Sequence, residues 1–72
     1  MKYIDNDTLK RELKSEWIKQ GYTQKDIADK MHVSSANLSN ILVNKKSLSF
    51  NDVFRICEAM DLDLYIDFRK RD

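Results

Sequence analysis

The stretch TQKDIADKMHVSSANLSNILVNKK, residues 23–46, decides the fold because it predicts two short helices joined by a turn without Gly or Pro. Thr23, with an acidic residue three positions later, predicts the start of the first helix, which ends near Met31. Ser34 is an N-cap residue and predicts the start of the second helix, which runs to about Val43. The stretch therefore predicts a pair of helices that pack against each other.

The apolar residues of this pair predict how the two helices pack. Ile27 and Met31 lie one turn apart on the first helix, and Leu38 and Ile41 face back into the same core from the second. Ala28 lets the helices approach closely, since a large side chain there would push them apart. A short turn with this apolar pattern makes two helices cross at a steep angle.

The outer face of the second helix carries short side chains, where an ordinary solvated face would carry Lys and Glu. Its members are Ser35, Ala36, Asn37 and Asn40, with Val43 beside them. Short amides and hydroxyls suit the edges of DNA bases, and a slim helix enters a major groove about 12 Å wide. The alternative is that these residues have only structural roles. Asn40 would then be a solvated side chain, Ser35 would assist in capping the helix, and Ala36 would be present because it favours a helix.

These residues carry a resemblance to the Cro/phage-repressor (Xre-like) helix-turn-helix family over residues 23–62. The matching positions are Thr23, Gln24, Ile27, Ala28, Met31, Val33, Ser34, Leu38, Ile41, Lys45, Ile56, Ala59 and Leu62. His32 and Asn44 stand where the family usually has Gly. Both types tolerate a positive φ better than most residues, so the turn is expected to persist with some strain at His32.

The resemblance implies a transcriptional regulator that binds double-stranded DNA sequence-specifically, as a repressor and a homodimer on a palindrome-like operator. It implies base contacts from Ser35, Ala36, Asn37 and Asn40. It implies phosphate contacts from Thr23, Gln24, Ser39, Asn44, Lys45, Lys46 and Ser47. Two alternatives remain open: a DNA-binding antitoxin with a toxin protein as its partner, and a protein-interaction domain that does not bind DNA.

The segments on either side of the pair predict two further helices. One covers about residues 8–20 and ends before Gly21, which stands where a positive φ is needed. Its apolar residues are Leu9, Leu13, Trp17 and Ile18. The other follows Ser49 as N-cap, with Asp52 at its third position. Its predicted core residues are Phe50, Val53, Phe54, Cys57 and Met60.

The last segment changes period, since residues 62–69 alternate apolar and polar side chains and so predict a β-strand. Its apolar face consists of Leu62, Leu64, Ile66 and Phe68. A strand alone is not stable in water, so it should pair with a short strand predicted at residues 1–5, with a second copy of the chain, or with both. Pairing between copies would make this face the dimer interface. The expected fold is mainly α, with four to five short helices and this C-terminal strand.

The composition fits one small domain, residues 1–72, and argues against several classes of function. The chain has one Cys and one His, so we expect no disulfide within it, no metal site and no cofactor. Its acidic residues are scattered and it has a single Gly, so we expect no enzyme. No apolar run has the length of a signal peptide or a membrane span, which favours a cytoplasmic protein away from the membrane.

The distribution of charge favours an anionic partner at the helix pair, although the formal net charge is only +1. Residues 23–50 contain four lysines and two aspartates, whereas residues 51–68 contain one arginine and five acidic residues. A mixed, solvated surface explains this distribution nearly as well.

Overall fold

The computed structural model describes residues 1–43 and 48–72, which contain four α-helices. They are α1 (Asn6–Lys19), α2 (Gln24–Met31), α3 (Ser35–Val43) and α4 (Phe50–Ala59). Their order and approximate bounds match the prediction, and the mainly helical fold is confirmed. None of the helices in these described ranges is long and apolar enough to cross a membrane.

Local polar chemistry sets where the helices begin. Asp5 caps α1 by accepting a 2.7 Å hydrogen bond from the Thr8 backbone N–H. Ser49 and Asp52 form a capping box at α4, with reciprocal side-chain to backbone bonds of 2.9 and 3.2 Å. These bonds satisfy backbone donors that the helix itself leaves unpaired. The N-cap predicted at Ser49 is therefore confirmed.

Three of the helices end in the same way, with a residue of positive φ. Gly21, His32 and Asp61 have φ values of 84°, 60° and 60° after α1, α2 and α4. In each case the next residue donates its N–H to a carbonyl five residues back, over 2.8 to 3.0 Å. This is the Schellman arrangement, which satisfies the last carbonyls of a helix. The sequence predicted it at Gly21 and missed it at Asp61.

The core lies between the four helices and is entirely apolar in the described residues. Trp17 from α1, the Ile27–Ala28 pair from α2 and Leu38 from α3 are buried in it. The other buried residues are Leu13, Met31, Leu42, Leu48, Val53, Ile56, Cys57, Ala59 and Met60. A chain of this size buries little more than one such cluster, so the position of α3 depends on packing by its neighbours.

The predicted apolar faces of α1 and α4 need correction. Phe50 and Phe54 are not core residues, since 71% and 47% of their surfaces are exposed, and Ile18 is exposed as well. On a helix with 3.6 residues per turn, the buried face of α4 is centred near Val53 and Met60. Phe54 lies more than a quarter turn from that centre. The three- and four-residue spacing therefore predicted a buried face that is rotated about the helix axis from the one observed.

The predicted strands are not found in the described residues. Neither residues 1–5 nor the segment 62–72, which we call the tail, contains a β-strand. A strand requires a ladder partner, and no segment of residues 1–43 and 48–72 is paired with the tail. The alternation itself survives, because Leu62 and Leu64 are half-buried against the core while Asp63 is exposed.

Candidate nucleic-acid interface

The turn between α2 and α3 depends on His32, whose φ of 60° and ψ of 38° place it in the left-handed region. Its N–H donates to the Asp29 carbonyl at 3.1 Å, and the N–H of Val33 donates to the Ala28 carbonyl at 3.0 Å. The turn that the sequence predicted with His in place of Gly is therefore confirmed. It occupies only the three residues between the end of α2 at Met31 and the start of α3 at Ser35.

The start of α3 is fixed by Ser34, as predicted. Its hydroxyl oxygen accepts a hydrogen bond of 3.0 Å from the backbone N–H of Asn37. The Ser34 carbonyl accepts the N–H of Leu38 at 3.0 Å. This cap satisfies a first-turn donor, so the exposed residues of that turn keep a defined orientation.

The start of α2 is fixed by a second capping box. Thr23 donates its N–H to the Asp26 carboxylate at 2.8 Å, and its hydroxyl oxygen accepts the Asp26 N–H at 3.1 Å. The hydrogen bond that the Thr23 N–H donates to the Asp26 carboxylate, followed by a hydrogen bond from the Thr23 side chain to the same carboxylate, lowers the pKa of Asp26 below its ordinary value. The N–H groups of Gln24 and Lys25 have no partner within the helix and are suited to an anion.

A hydrogen bond between side chains joins α2 to α3. Gln24 Nε2 donates to Ser39 Oγ over 2.6 Å and lies 3.5 Å from the Ser35 carbonyl oxygen. Both Gln24 and Ser39 are half-buried at this contact. Sequence reasoning assigned them separately to phosphate contacts and missed the bond, since its partners are 15 residues apart. Whether either residue contacts phosphate stays a prediction.

The residues predicted to contact bases share one exposed face of α3. Ala36, Asn40 and Val43 lie at its centre, and Ser35 and Asn37 lie at its edges; all five are exposed. The opposite face holds the buried residues Leu38 and Leu42. None of the exposed residues is charged or long, so nothing on this face prevents close approach to a flat polar surface.

The remaining predicted site residues have different outcomes. Asn44, Lys45, Lys46 and Ser47 lie outside the described residues. The predicted dimer face is divided, because Leu62 and Leu64 pack against the chain's own core. Ile66 and Phe68 are 55% and 97% exposed. Only the outer part of the tail is therefore available to a partner.

Potential metal ligands and the single cysteine are the other groups in residues 1–43 and 48–72 with a chemistry of their own. No group of three or more His, Cys, Asp or Glu side chains in these ranges is arranged to hold a metal ion. Cys57 is buried, and burial raises the pKa of its thiol above the ordinary value, which keeps it in the unreactive thiol form.

Comparison with known proteins adds one match. A family model described as helix-turn-helix matches residues 10–66, which include α2, α3 and α4 entirely and most of α1. No curated protein and no solved structure shows a significant match to the chain.

Proposed function

We propose that this chain, which belongs to the Cro/C1-type helix-turn-helix family, regulates transcription as a sequence-specific repressor that binds double-stranded DNA. The observation that carries the proposal is the exposed face of short side chains on α3, held against α2 by the bond from Gln24 to Ser39. The proposed activity is binding alone, with no catalysed reaction and no cofactor, in the cytoplasm.

The base contacts come from the exposed face of α3 in the major groove. The amides of Asn37 and Asn40 can each donate to N7 of adenine and accept from its N6 group. The Ser35 hydroxyl can donate or accept, and the methyl groups of Ala36 and Val43 can contact thymine methyls. Because each amide contact matches one base pair, this face supplies the sequence preference.

The phosphate contacts come from around α3 and set its register on the duplex. The unpaired N–H groups at the start of α2 suit one phosphate, assisted by the helix dipole. Ser39 keeps a hydroxyl proton that can be donated to a neighbouring phosphate, since its oxygen accepts a bond from Gln24, and Thr23 lies at the start of α2 where the phosphate contacts are proposed. Lys45 and Lys46, with Asn44 and Ser47, add contacts after α3, so affinity should depend on salt.

The repressor acts as a homodimer on a palindrome-like operator. One short helix makes few base contacts, whereas two copies can place their α3 helices in successive major grooves about 34 Å apart. The exposed part of the tail, with Ile66 and Phe68, supports association with a second copy, since apolar groups leave water when they pack together. Linking two half-sites in this way raises affinity without new contacts in either.

Selection of bound sites from a random DNA pool, followed by fluorescence anisotropy, tests the proposal. Asn40→Ala should weaken operator binding by about 1–3 kcal/mol and relax the preference at one base pair. Gln20→Ala is the matched control, because Gln20 carries an exposed amide that follows α1, bonds Glu16 and is not part of the proposed reading face. An unselective pool, or unchanged specificity in Asn40→Ala, would contradict the proposed reading face.

A further inference from the structure

Helix α4 presents three exposed side chains at four-residue spacing, Phe50, Phe54 and Glu58, which we call the α4 stripe. Two adjacent aromatic side chains on the surface of so small a domain leave a large apolar area in water. Contiguous apolar surface of this kind marks an interaction site. Successive members of the stripe are about 6 Å apart along the helix axis.

The tail presents a matching series on one of its faces. Arg69 Nε lies 3.1 Å from the Asp67 carboxylate, and a contact between residues two positions apart is typical of one face of an extended chain. Ile66, Phe68 and Lys70 therefore share the other face, and all three are exposed. Their spacing along an extended chain is about 6.6–6.8 Å.

The two series agree in spacing, in apolar character and in charge. Each has two apolar members followed by one charged member, and the final charges, on Glu58 and Lys70, are opposite. We propose that the tail of one copy lies along the α4 stripe of a second copy, in the same direction as the helix. Ile66 then packs against Phe50, Phe68 against Phe54, and Lys70 lies beside Glu58. The inference rests on the proposed homodimer and names the surface that forms it.

The geometry favours the tail of a second copy over the chain's own tail. The tail leaves α4 beside Cys57, whose carbonyl accepts the N–H of Leu62 at 2.9 Å, near the C-terminal end of the helix. From that point, an extended tail running toward Phe50 would be antiparallel to α4 and would carry Lys70 away from Glu58. A second copy can supply the parallel direction, and a two-fold axis then forms the same contact twice.

A charge exchange tests the proposed register without touching the core. Lys70→Glu and Glu58→Lys should each raise the dimer dissociation constant about fivefold, since each disrupts two exposed, symmetry-related ion pairs. The double variant should return the constant to within about twofold of the unmodified protein, as measured by sedimentation equilibrium. The control double variant combines Lys19→Glu with Glu58→Lys, which has the same net charge and should not restore it. Additive single effects would overturn the pairing of these two residues.

A second pair of variants tests the apolar contact. Phe54→Ser and Phe68→Ser should each give monomers at micromolar concentration with unchanged helical circular dichroism, because both side chains lie outside the core. Dissociation by Phe68→Ser but not by Phe54→Ser would overturn the proposal and indicate that two tails pair with each other. A monomeric unmodified chain would also overturn the proposal and would indicate that the α4 stripe binds a different partner protein.

Failure of this inference can be distinguished from failure of the proposed function. If the protein is a monomer that still selects one half-site from a random DNA pool, the proposed DNA-reading face stands and the proposed tail contact is wrong. If the protein is a dimer whose dissociation constant responds to the charge exchange as expected but which selects no DNA, the proposed tail contact stands and the proposed repressor function is wrong.

Discussion

Replacing Gln24 by Ala removes the hydrogen bond that joins the start of α2 to α3. The bond is short, at 2.6 Å, and links two neutral half-buried groups, so its loss should lower the free energy of unfolding by about 1 kcal/mol. The Ser39 hydroxyl left behind lies close enough to the surface to bond water, which limits the penalty. For a domain of this size, the expected fall in melting temperature is about 4–8 °C.

The effect on DNA binding should be selective. Without the bond, α3 depends more on the packing of its apolar face and its reading face is less well fixed, so operator affinity should fall about fivefold. Affinity for random DNA should change less than twofold, because the proposed phosphate contact at Gln24 uses its backbone N–H, which Ala retains. Anisotropy on operator and random duplexes at one salt concentration measures both.

A double-mutant cycle isolates the bond. Gln24→Ala, Ser39→Ala and the double variant should give a coupling free energy of about 0.5–1.5 kcal/mol in denaturant unfolding. Gln20→Ala is the control, since its amide bonds only within α1, to Glu16. Effects of the two substitutions that add to within about 0.3 kcal/mol would show that the bond does not hold α2 to α3. Equal losses of affinity for operator and random DNA would instead indicate that the Gln24 side chain acts only as a phosphate contact.

Three further predictions concern other parts of the site. Ala28→Leu should destabilise the fold by about 1–3 kcal/mol, because Ala28 is completely buried. It should also reduce operator binding sharply. Unchanged affinity would show that Ala28 does not lie where α2 and α3 cross. The pKa of Asp26 is lowered in the folded chain, so its stabilising contribution is present above the ordinary value of 3.8 and is lost as pH falls through the lowered value. Urea unfolding of Asp26→Asn should therefore show a smaller loss of stability in acid than the unmodified chain. Lys45→Ala should weaken operator and random DNA alike and reduce the slope of log affinity against log salt by about 1, and a sequence-dependent effect would contradict a phosphate role.

The features that the sequence predicted well are local ones. The caps at Thr23, Ser34 and Ser49 each involve a side chain and a backbone group three residues away, so residue type and spacing specify them almost completely. The position of His32 in the turn was predictable for the same reason, because the apolar residues on either side of it, Met31 and Val33, belong to the core. The exposed face of α3 followed from the two apolar residues that define its opposite side.

The features that the sequence could not specify depend on distant groups. The bond from Gln24 to Ser39 requires the crossing angle of two helices, which no local pattern contains. Phe50 and Phe54 have the spacing of a core face, yet the phase of α4 is decided by the packing of Val53 against other helices. The tail has the period of a strand, but pairing requires a partner, so alternation alone determines only which side chains share a face.

Helix α2 connects the proposed reading face with the α4 stripe. At its start, the Gln24 side chain bonds Ser39 of α3, and at its end the Met31 carbonyl accepts a 3.2 Å bond from Arg55 Nη2 of α4. A cation at the C-terminus of a helix is also favoured by the helix dipole. Both bonds act through one helix of eight residues, so a second copy bound to α4 as proposed would have a fixed relation to α3. An operator whose half-sites lie about 34 Å apart requires a constant distance between two reading faces, and these bonds at the two ends of α2 provide the means to maintain it.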